Sequence, residues 1–139
     1  MNRGGLATAA AGALAVYCGV LAFILLSPSP AVAASSVAYL GEIGRALHAP
    51  DWMLIAARVE FMANATIAAP VSFLGSVVFR DSTWRDWTAY LFVTSGLIEL
   101  VQGALLPGRS ATFVDMVANT LGALMGAVLM LVIRRVRSL

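Results

Sequence analysis

Glu60 and Asn64 stand four residues apart, Glu99 and Gln102 three apart, and Asp115 and Asn119 four apart, and each pair falls within a long apolar stretch. Residues three or four apart share one face of a helix, so three helices would each present a polar stripe. Carboxylates in such stripes are candidate proton carriers, and Glu99 or Asp115 would fill that role. Burial favours the protonated acid and a neighbouring arginine favours the carboxylate, so the sequence leaves their protonation open. Arg58 precedes the first stripe and Arg109 lies between the second and third. A guanidinium matches phosphate geometry, so Arg58 or Arg109 could hold a phosphate, and with the stripe residues Glu60, Asn64, Gln102 and Asn119 they form the candidate ligand-binding set.

The side-chain oxygens of the Glu, Asp, Asn and Gln residues in these stripes could alternatively hold a hard cation such as Mg²⁺ or Ca²⁺. No other cofactor is expected. Cys18, the single cysteine, lies inside an apolar run and has no disulfide partner within the chain. His48 has no second histidine or cysteine near it to complete a zinc or haem set, and reads as an interfacial polar residue. The methionines are scattered. No Ser-His-Asp arrangement, phosphate loop or nucleotide fingerprint occurs.

The elements that must position these residues follow from composition. The chain has 139 residues, 60% hydrophobic and 12% charged, with a mean hydropathy of +0.89, whereas a soluble domain is about a quarter charged. One domain, residues 1–139, is expected, all-α and polytopic. Four stretches approach the roughly 20 residues needed to cross a bilayer: about 5–26, 59–79, 87–106 and 113–133. The first ends at Ser27-Pro28-Ser29-Pro30. Arg3, this run and Ala31-Val32-Ala33 also imitate a cleavable signal, but the run exceeds the 7 to 15 residues of a signal core, so we read it as a retained helix. The segment VAYLGEIGRALHA before the second stretch has Glu42, Arg45 and His48 at helical spacing and predicts a short interfacial helix. Asp51 offers an N-cap, placing the start of the second span near it, and Pro70 predicts a kink. RDSTWRDW and PGRSAT are short links that force antiparallel neighbours. Ala118, Gly122 and Gly126 recur every four residues and predict close helix contact.

All basic residues are arginine and they flank apolar runs rather than form one patch, which excludes a nucleic-acid surface. With both termini cytoplasmic, six arginines (3, 80, 85, 134, 135 and 137) face inward and three (45, 58 and 109) outward, the favoured distribution. The polar stripes then lie near the outer face. A carboxylate at a helix centre costs roughly 2.5–3.5 kcal/mol, so the acids must face one another or water. They crowd one end and leave the other half of the spans apolar, which argues against a channel.

On Glu99-Leu-Val-Gln102, Pro107-Gly108-Arg109, Asp115, Asn119, Gly122 and Gly126, with Glu60-Phe61, Asn64, Pro70 and Gly75 upstream, the chain resembles the VanZ-like family of bacterial membrane proteins over residues 58–130. It departs from longer members in having little before the second span, and Ala68-Ala69-Pro70 is less aromatic than the family's usual approach to that proline. The resemblance implies a cell-envelope protein of the bacterial plasma membrane, in a family named for a member associated with resistance to teicoplanin-type glycopeptides. The expected function is binding or modification of a lipid-linked or phosphate-bearing ligand at the outer leaflet, with membrane lipids or a lipid-linked cell-wall precursor as partner. The alternative is a non-enzymatic membrane adaptor whose polar cluster is a helix-packing network. The sequence leaves catalysis, homo-oligomerisation and a membrane partner open.

Overall fold

The computed structural model describes residues 3–27, 31–106 and 112–138. Among them run five α-helices, α1 (Arg3–Leu25), α2 (Ala31–Ala46), α3 (Ala56–Val78), α4 (Trp84–Leu105) and α5 (Phe113–Val136), and no strand. Helices α1, α3, α4 and α5 are long and apolar enough to cross a membrane. Each expected span boundary lies within about three residues of the observed one. Large apolar side chains stand out from every span, among them Phe23, Leu100 and Phe113. A continuous coat of this kind marks a surface built for lipid rather than water.

Small residues hold the centre together. Ala68, Ser72, Gly75 and Ser76 on α3 and Ala118, Gly122, Ala123, Gly126 and Ala127 on α5 are buried, and these two helices form the most extensive contact of the bundle. A Cβ on Gly122 would fall on the carbonyl oxygen of Ala65, and one on Gly126 on that of Ala69. Apolar side chains gain nothing by leaving lipid for a protein interior, so spans associate through close backbone approach and tight packing. The stripe expected from sequence is that contact. Helix α4 packs on α5, and α1 and α2 pack on α3. Across the α3–α4 turn, the Trp87 indole covers Gly75 and meets Phe79 and Tyr90 with ring centroids 6.2 and 5.9 Å away.

Local chemistry sets the helix ends. At α4, the Thr83 hydroxyl accepts from the Asp86 amide and the Asp86 carboxylate accepts from the Thr83 amide at 2.7 Å, a complete capping box. Helix α2 ends where His48 takes a left-handed φ of 56° and Ala49 N–H donates to the Gly44 carbonyl at 2.9 Å, a Schellman closure. His48 therefore acts through its backbone at a helix terminus. Two expectations change. The interfacial helix begins earlier and ends sooner than VAYLGEIGRALHA. The second span does not start at Asp51, because Asp51–Met53 forms an isolated 3₁₀ turn and extended Ile55 separates it from α3. The 3₁₀ turn has no side-chain cap. Helix α3 runs through Pro70. The Pro28–Pro30 stop and residues 107–111 of the PGRSAT link lie outside the described residues.

Candidate functional site

Thr112 organises the polar end of the bundle. As N-cap of α5 its hydroxyl accepts from the Asp115 amide at 3.1 Å, half of the capping box seen at α4. The other half is supplied from a different helix: the Thr112 amide donates to Glu99 Oε2 on α4 at 2.7 Å. The Asp115 carboxylate, which a local box would have used, instead accepts from Asn64 Nδ2 on α3 at 2.6 Å. Both candidate acids thus meet at the start of α5, where unpaired helical amides and the helix dipole favour acidic groups.

Gln102, one turn beyond Glu99, is buried and donates from Nε2 to the carbonyl of Leu25 at 2.8 Å. Leu25 is the last residue of α1, whose terminal carbonyls have no partner within the helix, so Gln102 ties α1 to α4. Farther along α1, the Tyr17 hydroxyl donates to the Ile67 carbonyl of α3 at 2.8 Å. Residues of α1 therefore wall the site.

Glu60, Asn64, Glu99, Gln102, Asp115 and Asn119 line one cavity of about 220 Å³. The three polar stripes converge as expected. Asn119 also lines a second cavity of about 210 Å³, whose walls include Cys18, Val71, Leu91 and Ser95. The Ser95 hydroxyl is turned onto its own helix, donating to the Leu91 carbonyl at 2.6 Å, so this second space is essentially apolar. The two cavities share Leu21, Leu25, Ile67, Ile98 and Asn119. They lie where α1 packs on α3 but barely touches α4. A polar cavity and an apolar cavity thus lie side by side, sharing part of their walls.

A sequence model of the VanZ/LLP1 family matches residues 14–134. The chain belongs to this family. The VanZ-like match takes in all five elements, beginning inside α1, and so extends the resemblance drawn from residues 58–130. No curated protein and no solved structure matches this VanZ-like chain.

Of the candidate residues, Arg58 sits apart from the cavity lining. It donates to the Trp52 carbonyl and lies over the Trp52 ring at 5.4 Å. Arg109 lies outside the described residues. Among the described residues no three His, Cys, Asp or Glu side chains gather as a metal site, so a hard cation here would depend on Glu99 and Asp115 with amide oxygens. Sequence reasoning missed Thr112, Tyr17 and the α1 wall. A threonine three residues before Asp115 is a readable capping signal, whereas the α1 contribution has no local signature.

Proposed function

We propose that this VanZ-like membrane protein binds a lipid-linked ligand, its polar head among Glu99, Asp115, Asn64 and Asn119 and its apolar chain in the groove between α1 and α4. One observation carries this reading: the acid-lined cavity and the apolar cavity lie side by side, with Leu21, Leu25, Ile67, Ile98 and Asn119 in the walls of both. A soluble polar ligand has no use for the apolar half, and a bare acyl chain has none for the acidic half. Glu99 or Asp115 would carry the proton if the bound head is modified, and Arg109 from the adjoining link would pair with a phosphate. Such a ligand at the outer leaflet of the bacterial plasma membrane agrees with a role in glycopeptide resistance.

The experiment is photo-crosslinking with a lipid bearing a diazirine in its acyl chain, followed by peptide mapping. Adducts are expected around Cys18, Val71 and Leu91. They should fall by about tenfold in Ser95→Phe, which fills the groove. Adducts spread evenly over the lipid-facing side chains and unchanged in Ser95→Phe would remove the reading.

A second reading has its own support. Glu99, Gln102 and Asp115 all hold helix ends or helix pairs together. A membrane adaptor would need those bonds and no ligand.

Leu6 near the start of α1 and Ser138 after α5 line one cleft, so both termini lie at the same end of the bundle, and Arg80, Arg134, Arg135 and Arg137 are grouped there. By the positive-inside rule that end is cytoplasmic. A reporter enzyme that folds only outside the cytoplasm, fused after Leu139, should be inactive. Activity would invert the topology and place the acidic cavity at the inner leaflet.

A further inference from the structure

The end of the bundle opposite the acidic cavity carries a second cleft of different chemistry. Leu6 on α1, Val77 on α3, and Met130 and Ile133 on α5 form its apolar wall, while Arg80, Arg134 and Arg137 lie along it. Its volume is about 490 Å³, and among the described residues no carboxylate lines it. Arg134 is fixed in place: its guanidinium donates to the Ser76 carbonyl and, at 3.2 Å, to the Arg80 carbonyl, capping the last turn of α3. The Arg80 backbone is held by the same contact while its side chain remains exposed.

The Asp86 carboxylate is closed into the Thr83 capping box, and Asp81 lines the neighbouring cleft on the α4 side, which Arg80 and Arg134 also border. Three arginines from two helix ends thus converge on an apolar-walled space at a membrane face, with no carboxylate among the described residues of its lining. Arginine at a helix C-terminus is ordinary by itself. Here, however, the charges border a cleft whose wall is suited to an acyl chain, and a basic pocket between spanning helices is the setting in which anionic lipid headgroups are held.

We propose that this cleft binds the phosphate of an anionic phospholipid. The phosphodiester lies between Arg80 and Arg137 beside Arg134, with an acyl chain along Leu6 and Met130. The site is independent of the acidic cavity and does not rest on the function proposed for it.

The full chain, purified in a zwitterionic detergent, would be titrated with phosphatidylglycerol, phosphatidylcholine and inorganic phosphate, with bound lipid counted by native mass spectrometry and melting followed in parallel. Phosphatidylglycerol should bind at least tenfold more tightly than phosphatidylcholine and raise the melting temperature. Arg80→Gln/Arg137→Gln should lose that preference, and Arg137→Gln, which lies past the end of α5 and leaves the bundle intact, should weaken it severalfold. Arg85→Gln, outside the cleft, should leave it unchanged. Equal binding of phosphatidylcholine would overturn the site. So would a loss in Arg85→Gln as large as in Arg137→Gln, which would show diffuse charge attraction. An equal shift from inorganic phosphate alone would replace the lipid site with a simple anion site.

Discussion

Replacing Gly122 with leucine should unfold the bundle, or drive α3 and α5 apart so far that no folded form survives extraction into detergent. Adding carbon to a packed interior ordinarily costs about 1–3 kcal/mol, because side chains shift to make room. At Gly122 the obstacle is the backbone carbonyl of Ala65, which cannot rotate away, and the neighbouring Gly126 meets Ala69 in the same manner. Even Gly122→Ala should exceed that range. Two other glycines calibrate the effect. At Gly96 the added carbon would meet the Met116 Sδ at 3.1 Å, a flexible group that can give, and at Gly12 it would meet nothing within 4 Å. Gly96→Ala should be nearly neutral, and Gly12→Ala should gain up to about 1 kcal/mol from helix propensity alone. Thermal unfolding of the four variants in one detergent measures the series. A Gly122→Ala protein that melts like the wild type would show that α3 and α5 do not meet as described.

Glu99→Gln should abolish function while the fold holds. Glutamine retains an oxygen that can accept from the Thr112 amide, so the start of α5 keeps its cap, while the charge and the transferable proton are both lost. If the carboxylate carries a proton in a reaction, activity should fall by about 10²–10⁴-fold. Glu99→Ala removes the acceptor as well, and should lower both the melting temperature and function. The measurement pairs melting in detergent with glycopeptide sensitivity of cells carrying each variant. A normal phenotype in Glu99→Gln with loss in Glu99→Ala would assign Glu99 to the helix-end network and make the adaptor the better account.

Much of this architecture was legible because length and hydropathy are local properties. Four apolar stretches gave four spans, and the Ala118, Gly122, Gly126 periodicity marked a face for close helix contact, though not that α3 would be the helix packed on it. The convergence of three polar stripes followed from helical spacing and short links. What each polar side chain does in the site was not legible. Thr83 with Asp86 and Thr112 with Asp115 carry the same local signature, yet only the first pair closes a reciprocal box. The difference comes from Glu99, thirteen residues before Thr112 in sequence and on another helix. Gln102 looked like a ligand residue and also holds the end of α1, which depends on how α1 docks. Arg58 was grouped with Glu60 and Asn64 by proximity in the chain, but the 3₁₀ turn before α3 places Trp52 where the guanidinium can lie over it. Such choices belong to the register between helices, and no single segment encodes them.

The borrowed cap at Thr112 has a thermodynamic consequence. A helix that caps itself has an end independent of its surroundings, as α4 does. The first turn of α5 leans on a carboxylate that also lines the cavity. Any donor or cation that captures Glu99 Oε2 competes with a backbone amide for the same oxygen. Linkage is reciprocal, so whatever free energy that amide contributes to holding α5 in place is subtracted from the affinity of the competitor, and an occupied Glu99 loosens the helix start by the same amount. Occupancy of Glu99 and order in the first turn of α5 are therefore two expressions of a single equilibrium.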